Sequence, residues 1–166
     1  MNRNFTNRTT SRNIVDEILK KGRIVEAEEE NTEEKDNEDV KSGDSTKDYT
    51  EMISQILHSR TQIHTFHLQT ESYPEHMALN GYYDVVGGLI DGLVESYQGK
   101  YEILKGYQNY ELKDYSGTEN TITYLKDLCE KIESLRDCCK DSYIQNQIDT
   151  VCELINSTLY KLRFLK

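Results

Sequence analysis

A chain of 166 residues with one Pro and no Trp holds enough sequence for one domain and argues against a loop-rich β fold. Its net charge is −10, residues 1–48 and 49–166 are both acidic, and no Lys/Arg cluster is present to neutralise phosphates, which argues against nucleic-acid binding. No apolar run is long enough for a membrane span, and Met1 to Phe5 lacks a signal-peptide core, so a soluble, cytoplasmic chain is expected.

Residues 1–48 read as a tail. The stretch 26–48 has almost no large apolar side chain and cannot offset the entropy of ordering, so a disordered acidic tail is expected. Before it, residues 11–22 form a short amphipathic pattern. Ser11 stands at its start, Ile14, Val15, Ile18 and Leu19 make one stripe, and Gly22 ends it. Two readings stand side by side: a transient helix, or a docking peptide on an acidic tether that folds on a partner's groove.

From Tyr49 the apolar residues recur at helical spacing, and residues 49–166 are expected to be one all-α domain. A first helix is expected over 50–68, burying Ile53, Ile56, Leu57, Ile63 and Phe66. A second starts at Ser72-Tyr73-Pro74-Glu75, where Ser72 is the N-cap, Pro74 sits in the first turn and Glu75 completes a capping box. It is expected to reach about residue 104 with Leu79, Tyr82, Val86, Leu89, Ile90, Leu93 and Tyr97 on one face. Residues 106–117, rich in Tyr, have no helical period. A third helix, capped by Thr118, is expected to about residue 140, and a fourth from 142 to the end. A long connection between the second and third of four helices is the pattern of an antiparallel four-helix bundle of the ferritin-like kind, with one crossover.

The cysteines, Cys129, Cys138, Cys139 and Cys152, form no C-x-x-C pair and read as small, inert residues on helices. The histidines are more telling. His64 and His67 lie three apart on one helical face near the end of the first helix. On the second helix His76, Asn80, Asp84, Asp91 and Glu95 fall within one arc flanking the apolar face, with Asp91 and Glu95 one turn apart. Imidazole plus carboxylate suits iron, manganese or zinc, and open positions on such an ion would admit water, dioxygen or peroxide. The competing reading is the solvated flank of an amphipathic helix. The adjacent Gly87 and Gly88 suggest close approach of another backbone, or a local kink.

The string FHLQTESYPEHMALNGYYDVVGGLIDGLVESYQG, residues 66–99, carries H-L-x-T-x-S-Y-x-x-H followed by D-x-x-x-E-x-Y-Q-G. It resembles the DNA-protecting ferritin-like proteins of starved bacteria (Dps), and more closely their bacteriophage-encoded relatives. The resemblance covers about 50 residues well, and the next two helices only in pattern. It implies iron at a site between two subunits, with His64 and His76 from one and Asp91 and Glu95 from the other. It also implies a homo-oligomer joined through the second helix, weak or lost ferroxidase activity, and a place in the host cytoplasm or the virion. Asn80 stands where the family has an acid, and two alternatives lie one turn away: His67 for His64, and Asp84 for the missing acid. The acidic tail departs from the lysine-rich tails of DNA-binding members. The reading from another class is a virion- or assembly-associated interaction protein that keeps the bundle without the metal and docks a phage partner through residues 1–24.

Overall fold

The protein is described by a computed structural model that covers residues 39–165, so the segment expected at 11–22, the docking stretch 1–24 and the tail up to residue 38 lie outside the described residues. The first helix, α1, is Asp39–Gln69. It begins well before the expected residue 50, so residues 39–48 are helical rather than part of a disordered tail. Once a turn is nucleated, each added residue costs little. Its first core residue is Tyr49, fully buried and stacked on Tyr97 with ring centroids 4.1 Å apart. Met52, Ile53, Ile56, Ile63 and Phe66 continue that face. Leu57, expected inside, is 42% exposed, because one step past Ile56 rotates the side chain about 100° off the core.

The second helix, α2, is Tyr73–Lys100. The Ser72 hydroxyl accepts from the Glu75 backbone N–H at 3.5 Å, as the cap reading requires. The helix stops at Lys100 rather than near 104, yet Leu104 is still buried, its N–H held by the Gln98 side chain at 2.9 Å. The expected apolar face is buried apart from Leu89, which is partly covered.

Residues 101–117 are the crossover, and their hydrogen bonds trace its route along α1. Gln108 N–H donates to Ser54 Oγ at 3.0 Å. Gln62 takes both backbone groups of Lys113, donating to its carbonyl at 2.7 Å and accepting from its N–H at 2.8 Å. Gln69 accepts from Tyr115 N–H at 2.6 Å and donates to Asp114 at 2.9 Å. The strand of chain thus returns from the end of α2 to its start.

The third helix, α3, is Thr118–Leu135, followed by a 3₁₀ turn, Arg136–Cys138, that ends it before the expected residue 140. Its cap is Gly117, at φ +120°, not Thr118, whose hydroxyl is spent on Glu75. The fourth helix, α4, is Ser142–Phe164. α1 packs on α2 and α3, and α4 packs on the same two. With the crossover, the order is up-down-down-up: each packed pair is antiparallel, while α2 and α3 run the same way. The described residues form an all-α four-helix bundle with one long crossover and no strand. A Ser59–Tyr82 hydroxyl pair, 2.7 Å apart, is satisfied within its core. No helix among them is long and apolar enough to cross a membrane.

Candidate functional site

The α1–α2 turn brings two of the expected histidines together. His67 Nδ1 lies 2.9 Å from the carbonyl of His76, and His76 Nδ1 lies 3.0 Å from the carbonyl of His67. A carbonyl only accepts, so both Nδ1 atoms carry a proton, while His67 Nε2 lies 3.5 Å from the Tyr83 hydroxyl. The rings stack with centroids 3.6 Å apart. His67 is buried and His76 partly so. His64 is exposed and stacks on Tyr83 instead, at 4.4 Å. Within one chain it is therefore His67 that pairs with His76.

The acidic candidates lie elsewhere. Asn80 donates to Asp84 at 2.6 Å and accepts from Tyr83 Oη at 2.9 Å, so both are engaged in a surface network. Asp91 and Glu95 are exposed, one turn apart, with no intramolecular partner among the described residues. Asp91 is 15 positions beyond His76, about 22 Å along α2. No single ion reaches both the imidazole pair and the carboxylate pair of one chain.

The glycine pair is explained only in part inside the chain. A Cβ at Gly87 would meet Arg60 Nε at 3.2 Å, where that guanidinium donates to the Tyr83 carbonyl. Gly88 faces open space.

A buried carboxylate sits beneath the same turn. Glu75, 4% exposed, does not reach back to Ser72 as a capping box would. Its Oε2 accepts from Thr70, Tyr115 and Thr118 hydroxyls at 3.1, 2.8 and 2.9 Å, and its Oε1 is buried without a partner. Two of these donors come from the crossover and the start of α3, which no local spacing reveals.

All four cysteines are free thiols, and two of them lie together with a carboxylate. Cys129 on α3 and Cys152 on α4 are buried and adjacent, and Glu133, one turn after Cys129, turns its carboxylate to them. These three form the group of His, Cys, Asp or Glu side chains, among the described residues, whose ligand atoms lie within 4.8 Å of one another and can hold a metal ion. Cys129 Sγ is 3.7 Å from Glu133 Oε1 and 4.0 Å from Asn156 Nδ2. Burial raises the Cys129 thiol above its ordinary range and pushes Cys152 up to about 12, so the unligated thiols hold their protons. The sequence signal was the Cys129/Glu133 spacing of four on a helix; the partner at Cys152 depends on the antiparallel α3–α4 register.

No curated protein and no solved structure matches the chain. The model of the family of unknown function DUF5856 matches residues 67–162, which span the histidine turn, the crossover and the α3–α4 seam, and the chain belongs to that family.

Proposed function

We propose that this protein is a Dps-like, ferritin-like oligomer of bacteriophage type that binds iron between two copies, with weak ferroxidase activity. One copy supplies His67 and His76, with His64 beside them, and the other supplies Asp91 and Glu95. The observation that carries this reading is the state of the two imidazoles. Each has its Nδ1–H fixed on a backbone carbonyl, the arrangement that orients a metal-binding histidine toward a metal at Nε2, and at His67 the metal would replace the 3.5 Å contact with the Tyr83 hydroxyl. The exposed, unpartnered carboxylates of Asp91 and Glu95 supply the anionic half, and they lie too far along α2 to serve their own chain's histidines. Gly88, open on the α2 surface, favours close approach of a second helix there. Asn80 departs from the resemblance as a neutral amide in the place of an acid, and its amide is held by Asp84 and Tyr83. Iron held by this set would pass an electron to dioxygen or peroxide. The remaining side chains would orient it and balance its charge.

Anaerobic Fe(II) titration followed by admission of air tests this. Wild-type protein is expected to oxidise iron in fixed proportion to subunits, and Asp91→Ala/Glu95→Ala to lose that fixed proportion while remaining folded. Equal behaviour of the two proteins would assign the chain to the other class, a bundle used for interaction in the virion or its assembly.

A further inference from the structure

We infer that Cys129, Glu133 and Cys152 form a binding site for a soft divalent cation of the zinc class, at the α3–α4 seam, with one coordination position open to solvent. The site is separate from the histidine turn and does not rest on the iron reading.

Three donors already converge. A tetrahedral ion with Zn–S and Zn–O bonds of ordinary length sets its ligand atoms about 3.5–3.8 Å apart. The Cys129–Glu133 separation of 3.7 Å meets that spacing, and the full set lies within 4.8 Å. Closing the remainder is a side-chain adjustment. Two sulfurs make the site soft, which favours zinc, cadmium or cobalt over magnesium or calcium. Two thiolates and a carboxylate carry a charge that a divalent ion largely neutralises. As each metal–sulfur bond forms, its thiol gives its proton to solvent, so one ion displaces two protons.

The surroundings fit a ligand set better than a packed seam. A cleft of about 500 Å³ is lined by Cys129, Glu133 and Asn156, and gives an entry path and room for a water as fourth ligand. Asn156, one turn after Cys152, places an amide N–H toward Cys129 Sγ, where it would stabilise thiolate charge. Arg136 grips Asp149 through two hydrogen bonds, of 2.6 and 2.8 Å, which fixes the end of α3 against α4. Cys138 and Cys139 lie in the turn between α3 and α4 and provide an internal control.

Co(II) is the probe, added to full-length, reduced, chelator-washed protein. A thiolate-to-cobalt charge-transfer band is expected, saturating at one Co(II) per chain and abolished when Zn(II) displaces the cobalt. Cys129→Ser and Cys152→Ser should each remove the band. Glu133→Gln should weaken binding about tenfold and keep it. Cys138→Ser/Cys139→Ser should keep the band as in the wild type. Alkylation footprinting of the wild type covers the case in which a serine variant fails to fold: Zn(II) should slow modification of Cys129 and Cys152 but not of Cys138. Absence of the band in wild type, its loss on replacing Cys138 and Cys139, or alkylation rates unmoved by Zn(II) would each overturn the assignment.

Discussion

Glu75 ties three parts of the fold together through one side chain. Three hydroxyls, from the α1–α2 turn, the crossover and α3, converge on one of its oxygens. Glu75→Ala would leave those donors facing a void, and a loss of roughly 2–4 kcal/mol is expected by urea unfolding. Glu75→Gln keeps an acceptor and should lose less. The tyrosines give a pH signature. Burial holds the phenols of Tyr49, Tyr82 and Tyr124 well above the ordinary 10.0, and a hydrogen bond to Asp141 lifts Tyr101 to about 12. Their folded pKa values exceed the unfolded ones. The stabilisation is therefore complete below about pH 10 and drains away as pH rises past it. Spectrophotometric titration should show the phenols of Tyr49, Tyr82 and Tyr124 ionising only together with loss of helical circular dichroism. At this scale the histidines were legible, because His67 closes α1 and His76 opens α2, so the short turn between the helices brings them together. Glu75 and Cys152 were not: Tyr115 lies 40 residues from Glu75 and meets it through the crossover, and Cys129 lies 23 residues from Cys152 and meets it through the α3–α4 register.

Among the elements, apolar periodicity located all four helices, since a face that must be buried leaves a 3.6-residue imprint. Their ends were less readable. Residues 39–48 carry no imprint, and their helix extends from the packed turns behind them. Thr118 looked like a cap, but its hydroxyl satisfies Glu75, and Gly117 takes the cap position. The length of residues 101–117 disclosed a crossover, whereas its route did not show in the sequence, because Gln62 and Gln69 appear there as ordinary polar helix residues. In the fold they act as clamps on its backbone. Gln62→Ala is expected to cost about 1–3 kcal/mol. Hydrogen exchange should quicken at the Lys113 amide and leave the Tyr82 region unchanged; uniform quickening would mean that the clamp is not local.

For the molecule as a whole, the exposed side of α2 is the surface on which the oligomer proposal turns. Val85 there is 49% exposed and Met77 50%, beside Gly88, Asp91 and Glu95. Light scattering should show wild type as a dimer or larger. Val85→Arg should shift it to monomer with unchanged helicity and, with it, abolish stoichiometric iron oxidation. The crossover has a topological consequence as well. It is the covalent link between two hairpins, α1–α2 and α3–α4, and side-chain clamps hold it against α1. Were those clamps released, the α3–α4 hairpin of one molecule could dock on the α1–α2 hairpin of its neighbour through the same buried contacts. Mild denaturant at high protein concentration should therefore yield entwined dimers by hairpin exchange, and these should persist on dilution until the bundle unfolds again. The glutamine clamps guard the chain against trading halves with its copies.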